Sequence, residues 1–203
     1  MILCDIGNTH FHFNKEGRLF DEKECSLKKE KIYFISVNDK KTKELLKKNP
    51  NSIDLAKHIN FNTSYEGLGI DRIMACKSVE DGVVIDAGSA ITIDIMVSGI
   101  HLGGYILPGL KAINDSYKKI SEKLDYNFIS QIDTKILPSN TIEAISYGGI
   151  GMVISMIEKA SKNQKIYFTG GDGVYLSRFF DNSIYIKDLV FRGMKQTIKE
   201  NDL

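Results

Sequence analysis

The sequence predicts an α/β protein made of two related domains, each a mixed β-sheet flanked by helices. Three observations predict it. Asp5-Ile-Gly-Asn-Thr and Asp86-Ala-Gly-Ser-Ala each follow a short apolar run, about 80 residues apart, and each leads into a second strand-like segment. Each half then reads strand, strand, strand, helix, with further helix and strand behind it. Local hairpins alternate with longer crossovers, which gives mixed sheets rather than purely parallel ones.

In the first half, residues 1–4 read as a buried strand, and 10–13 with 18–20 as a hairpin around Lys15-Glu16-Gly17. Residues 31–37 form a further strand carrying Ile32, Phe34 and Ile35. A short helix over 39–48 stops before Pro50. Residues 53–55 read as another strand. The turn Glu66-Gly67-Leu68-Gly69 then opens a helix over 70–79, with Ile70, Ile73, Met74 and Cys76 mostly on one side. The junction falls at Glu80-Asp81-Gly82, giving domains 1–81 and 82–203.

The second half starts with a strand at 83–86, followed by strands 90–97 and 100–107 joined by Ser98-Gly99. Ile91, Ile93 and Ile95 alternate with Thr92 and Asp94, the period of a sheet. After Pro108-Gly109, the spacing Leu110, Ile113, Tyr117, Ile120 marks an amphipathic helix. A polar connector over 125–139 precedes a longer helix, with Asn140 as its cap and Glu143 completing a capping box. Gly148, Gly149 and Gly151 interrupt that helix and serve either close packing or close approach of a ligand. A strand at 166–168 opens onto Thr169-Gly170-Gly171-Asp172-Gly173 and another helix. Asp188 caps the last one.

Composition narrows the partners. With 203 residues, 42% hydrophobic and 26% charged, the chain has the make-up of an ordinary globular protein. Its 27 Lys and Arg against 26 Asp and Glu offer no concentrated basic face, so nucleic acid is not expected as a partner. No apolar run reaches the roughly 20 residues of a membrane span, and no signal sequence precedes Asp5, so no membrane association and a cytoplasmic location are expected. Cys4, Cys25 and Cys76 are too few and too scattered for a disulfide framework or a structural zinc site. His10 and His12 alternate along one strand, but two ligands do not make catalytic zinc.

The chemistry concentrates at the repeated turn. An Asp ending a buried strand, a Gly where a side chain would obstruct a ligand, and a small hydroxyl or amide residue together suit phosphate and a cation. Two such turns point to two domains gripping one nucleotide. No Gly-x-Gly-x-x-Gly follows the first strand, and no Gly-x-x-x-x-Gly-Lys-Ser/Thr loop is present. Dinucleotide-binding and P-loop enzymes are therefore disfavoured.

Both turns, Gly69-Ile70-Asp71-Arg72, Gly103-Gly104-Tyr105-Ile106-Leu107-Pro108-Gly109 and Thr169-Gly170-Gly171-Asp172-Gly173 stand in this order. On these segments the chain, from residue 5 to about 194, resembles type III pantothenate kinase. The resemblance implies duplicated ribonuclease H-like, actin-like ATPase domains. It implies a homodimer that transfers the γ-phosphate of ATP to the terminal hydroxyl of pantothenate, the first committed step of coenzyme A synthesis. It also implies a monovalent cation, potassium or ammonium, beside the magnesium carried with ATP.

Carried over residue by residue, the resemblance makes Asp5, Ile6, Gly7, Asn8, Thr9, His10, Phe11 and His12 the ATP-phosphate segment, with Asp5 positioning magnesium and Gly7, Asn8 and Thr9 supplying donors. Asp71 becomes the general base, and the fork of Arg72 suits the carboxylate of pantothenate. Gly69, Ile70 and Thr141 complete the substrate contacts. Tyr65 matches the family's substrate-facing tyrosine, although it stands nearer the motif and lacks the following proline. Asp86 becomes the monovalent-cation ligand, and Ser89 contacts ATP where the family usually has threonine. Thr169-Gly170-Gly171 resembles the adenosine-side turn, and 103–109 the loop near pantothenate and the dimer partner. Asp94 lies either near the cation and phosphates or on an open sheet face. Competing readings are a kinase of another small alcohol or sugar, and a dimeric metabolite-binding regulator that binds without turnover.

Overall fold

The computed structural model describes residues 1–133 and 135–203; residue 134, in the polar connector, lies outside them. The described chain divides into two compact units. The first comprises Met1–Glu80, Met96–Leu102 and Asp188–Leu203, and the second Asp81–Ile95 and Gly103–Lys187.

The first unit is built on five strands, β1 (Ile2–Ile6), β2 (Phe11–Lys15), β3 (Arg18–Glu22), β4 (Ile32–Ser36) and β5 (Ile53–Asp54), in the order β3-β2-β1-β4-β5. β1 pairs antiparallel with β2 and parallel with β4, so the sheet is mixed. The hairpin turns at Glu16-Gly17, both with positive φ, the tight two-residue form that matches strand twist. Ile2, Cys4, Ile6, Phe11, Phe13, Ile32 and Phe34 bury their side chains in one core with Cys25 and Leu45. Helix α1 (Asp39–Lys48) starts where the Asn38 side chain accepts the Lys41 N–H at 3.0 Å.

The second unit repeats the plan with β6 (Gly82–Ala87), β7 (Ala90–Val97), β8 (Ile100–Pro108), β9 (Ile166–Thr169) and β10 (Ser183–Tyr185). Their order is β10-β9-β6-β7-β8. Counted from each unit's own first strand, both sheets read 3-2-1-4-5, and Ser98-Gly99 repeats the positive-φ hairpin turn. The expected duplication of mixed sheets is therefore present. Helices α3 (Leu110–Ile120), α4 (Thr141–Ser161) and α5 (Gly173–Ser177) supply Leu110, Ile113, Ile150, Val153, Ile154, Ile157 and Leu176 to a core shared with Val83, Ile85, Ile91, Ile93 and Phe168. Gly149 faces the ring of Phe128 so closely that a β-carbon would overlap it, which assigns this glycine to packing.

The second domain is not the unbroken 82–203 expected from sequence. Helix α6 (Leu189–Glu200) joins the first unit because it packs on α2 (Ile70–Lys77). Gly193 meets the Met74 backbone with no room for a side chain, Thr197 Oγ1 reaches Met74 Sδ at 3.6 Å, and Lys77 pairs with Glu200 at 2.7 Å. The tip of the β7–β8 hairpin joins that unit too, through Gly99 N–H to Glu80 O (2.9 Å) and His101 N–H to Asn62 O (2.9 Å). Two cap expectations also change. The Glu143 carboxylate reaches back to the N–H of Ser139 rather than Asn140, and Asp188 holds the Arg192 side chain instead of a backbone N–H. Among the described residues no helix is long and apolar enough to cross a membrane.

Candidate active site

In the first unit the turn after β1 closes by a hydrogen bond from Gly7 N–H to His10 O at 3.0 Å. That bond occupies the Gly7 donor, so the donors left at this turn belong to Asn8 and Thr9, both exposed. Ile6 and Phe11 are fully buried, because alternate strand positions face the core, and only their backbones are available to a ligand. His10 Nδ1 lies 3.1 Å from Thr9 Oγ1. His12 leans over the turn: a β-carbon at Gly7 would lie 3.5 Å from His12 Nε2.

Gly69 is the N-cap of α2, and Asp71 sits in its first turn. Asp71 Oδ1 accepts the Arg72 N–H at 2.8 Å and lies 2.6 Å from where a Gly69 β-carbon would stand. The glycine thus leaves room for the carboxylate, and the positive end of the helix attracts its charge. Ile70 is half-buried beside them. The Arg72 side chain is drawn inward (5% exposed), with its guanidinium 5.0 Å from the Tyr65 ring centre. Tyr65 is held there by a chain of contacts. Its N–H donates to Thr63 Oγ1 at 3.0 Å, and that oxygen lies 2.8 Å from His101 Nδ1. The shortened loop therefore brings Tyr65 to Arg72 by its own route.

In the second unit the turn after β6 closes by Gly88 N–H to Ala90 O at 2.9 Å. Two further glycines press on it. Gly109 donates to Ser89 O at 3.1 Å, and a β-carbon on Gly109 would run into the backbone of Gly88 and Ser89. Gly170, with φ +81°, lies so close to the Ala87 carbonyl and Asp86 Oδ1 that no other residue fits. Ser89 itself is exposed. Asp172 N–H donates to Ala87 O at 2.9 Å, and burial pushes the Asp172 carboxyl up. The Tyr185 hydroxyl donates to Gly170 O at 3.3 Å; burial raises its pKa and the nearby Asp86 charge adds to the shift. The oxygens gathered here, carboxylate and carbonyl, form the donor set that hard cations take.

Thr141 is the exposed first residue of α4, beside an Asn140 side chain that accepts the Glu143 N–H at 3.0 Å. The Ser139 N–H and hydroxyl on its carboxylate hold Glu143 below the usual range. Asp94 is fully buried, so the open-face alternative for it is ruled out. A cavity of about 380 Å³ lies among Leu110, Asn114, Phe128, Ile150 and Tyr175, whose buried hydroxyl has no hydrogen-bond partner among the described residues.

The structure thus assembles Asp5 to His12 around one turn, Tyr65 with Gly69, Asp71 and Arg72 at the head of α2, and Asp86 with Gly170 at the other turn. Sequence reasoning missed Asp21, which holds His12 Nδ1 at 2.8 Å, and the Thr63–His101 pair behind Tyr65. The first was readable. A two-residue hairpin that pairs Lys15 with Arg18 also places His12 opposite Asp21. The second depends on a contact 38 residues apart and leaves no local signal.

A family model for type III pantothenate kinase matches residues 17–163. Among relatives bearing that name, the protein of Wolinella succinogenes is 47% identical over 204 residues, spanning 98% of this chain and 97% of its own. That of Campylobacter jejuni is 48% identical over 205 residues, spanning 99% and 98%. A crystal structure from Campylobacter jejuni, described as a Baf family transcriptional activator, superposes with a TM-score of 0.90 at 45% identity, covering 100% of this chain and 99% of that one. MreB5 of Spiroplasma citri bound to ADP superposes at 0.51 with 12% identity over 99% of this chain and 97% of its own, a likeness of fold alone.

Proposed function

The chain belongs to the type III pantothenate kinase family, and from that membership we infer its reaction, the transfer of the ATP γ-phosphate to the terminal hydroxyl of pantothenate. It is an ATP-dependent phosphotransferase of coenzyme A synthesis. The observation that carries this reading is the near end-to-end identity with relatives of that name, 47% over 98% of the chain.

The roles of individual residues are our proposal. The pantothenate hydroxyl oxygen attacks the γ-phosphorus, the bond from that phosphorus to the β,γ-bridging oxygen breaks, and ADP departs with the electron pair. Asp71 accepts the hydroxyl proton; its place in the first turn of α2, with one oxygen already committed to Arg72 N–H, fixes the carboxylate's direction. Arg72 and Tyr65 hold the pantothenate carboxylate and its neighbouring chain, and Thr141 contributes a hydroxyl at an exposed helix N-terminus. Asp5 would help position magnesium through water and the phosphates, and that ion would offset phosphate charge. Asp86 with neighbouring carbonyl oxygens holds the monovalent cation, a reading supported by the oxygen cradle that a β-carbon at Gly170 would fill. Asn8, Thr9 and Ser89 bind phosphate oxygens. The base side of ATP falls toward the 169–171 turn.

The protein acts as a homodimer. β8 is an edge strand, and it exposes Tyr105 and Ile106, the latter 59% accessible, as a strand covered by a second copy would. Domain boundaries follow the two units rather than a single cut.

The test is ADP release by the purified protein with magnesium and ATP, with and without pantothenate, in potassium and in sodium. Release that requires pantothenate, with phosphopantothenate found by mass, is expected. Pantothenate-independent release, or none at saturating substrates, would overturn the reading.

A further inference from the structure

An imidazole at the tip of the β7–β8 hairpin is wrapped by the segment that carries Tyr65. His101 is 1% exposed. Its N–H donates to Asn62 O at 2.9 Å, and its Nδ1 lies 2.8 Å from Thr63 Oγ1. Its ring centre stands 5.9 Å from that of Phe61 and 6.1 Å from that of Tyr65. Residues 59–69 run as irregular chain, tied to β8 by an isolated bridge between Thr63 and His101. The start of the segment is tied to α2, where Lys77 Nζ donates to Asn60 O at 2.8 Å. All of these residues belong to the first unit.

The Thr63 hydroxyl is the joint of this arrangement. It accepts the Tyr65 N–H at 3.0 Å, which fixes the backbone from which the Tyr65 ring projects. A hydroxyl has one hydrogen and two lone pairs, so it still meets Nδ1 as donor or as acceptor. The contact therefore stands whichever protons the imidazole carries. Packing alone would be served by a buried ring. Tyr65 instead keeps 39% of its surface open, with the Arg72 guanidinium 5.0 Å from its ring centre. The anchor is buried, and the group it holds out is exposed beside an arginine.

We propose that His101 and Thr63 are positioning residues for the acceptor substrate: together they hold the Tyr65 ring against Arg72, and so set how tightly that pair grips a carboxylate-bearing alcohol. An aromatic face steers a guanidinium without using up its N–H donors, which stay free for the carboxylate. The proposal rests on the reading of Tyr65 and Arg72 as pantothenate contacts, and it adds two residues that lie outside the Gly69–Arg72 segment.

Steady-state kinetics of the full-length protein with pantothenate and ATP test it. Thr63→Val keeps the shape of the side chain and removes its hydroxyl. It is expected to raise the KM for pantothenate about fivefold, the scale of one hydrogen bond, with kcat and the KM for ATP changed less than about twofold. Thr63→Ser restores the hydroxyl and should return that KM to near the wild-type value. His101→Asn keeps a polar atom near the place of Nδ1 and removes the ring, and its KM for pantothenate should rise at least as far; should this buried variant fail to fold, the Thr63 pair decides. Tyr65→Ala should raise the same KM about tenfold, and adding Thr63→Val to it should change nothing more, because Thr63 acts through Tyr65. An unchanged KM in Thr63→Val beside a raised one in Tyr65→Ala would overturn the proposal alone, as would losses that multiply in the double variant or a Thr63→Ser protein as impaired as Thr63→Val. An unchanged KM in Tyr65→Ala would overturn it together with the substrate reading of Tyr65. Wild-type protein that turns over no pantothenate would overturn the proposed reaction and this proposal with it.

Discussion

The two Asp-x-Gly turns close alike and are walled differently. After β1, the Gly7 turn is lined by side chains, with His10 and His12 beside it and Asp21 behind. After β6, the Gly88 turn is walled by main chain, with Gly109 and Gly170 pressed against Gly88, Ser89 and Ala87. The first turn also takes one more residue to close, Gly7 to His10 against Gly88 to Ala90. A wall of backbone has a fixed shape and tolerates no added atom. A wall of side chains can be retuned one residue at a time. The wall of the second turn is thus fixed by main chain, and that of the first is open to change through its side chains.

That division can be broken by experiment, and the largest expected effect is chemical. Asp71→Asn should lower kcat by about 10²–10⁴-fold with the melting midpoint nearly unmoved, since general-base catalysis contributes on that scale. Turnover near wild type would remove Asp71 as the base. Asp86→Asn, in the other unit, should instead erase the advantage of potassium over sodium; a preserved cation response would move the cation elsewhere.

A paired glycine exchange sharpens the comparison of the walls. Gly109→Ala forces a β-carbon into the Gly88 and Ser89 backbone and should cost about 3 kcal/mol, a fall of roughly 10 °C in melting temperature. Gly7→Ala meets only ordinary contacts at 3.5 Å and should stay within about 1 kcal/mol. Equal losses in thermal melts would mean the two turns are not built differently. The smallest effect is expected for Ser89→Thr, which keeps an exposed hydroxyl and adds a methyl. ATP kinetics should change by less than about twofold, and a larger change would show that the Ser89 position is sterically confined.

Much of this was legible in the sequence, for local reasons. The hairpins at Glu16-Gly17 and Ser98-Gly99 and the helix Asp39–Lys48 stand where turn and cap residues put them. The two Asp-x-Gly turns and the helix opening at Gly69 were visible in the same way. What stayed hidden depends on contacts far apart in the chain. Nothing near Asp188 shows that the last helix belongs with α2, because the close approach of Gly193 to Met74 joins segments more than 100 residues apart. Nor does alternation along β7 show that Asp94 is fully buried, since a sheet face is open or covered according to what folds onto it later. The inward turn of Arg72 onto Tyr65 depends in the same way on His101, far along the chain.

The return of α6 to α2 has a consequence for how the protein is made. A ribosome delivers the sheet of the first unit early and its last helix at the end, after the whole second unit has emerged. Until then the face of α2 around Met74 has no cover, and the nascent chain carries an unfinished first unit while the second can already close on itself. The order of synthesis therefore makes the first unit the last to become native, and a chain interrupted before Asp188 would expose to chaperones and proteases the helix that bears Asp71.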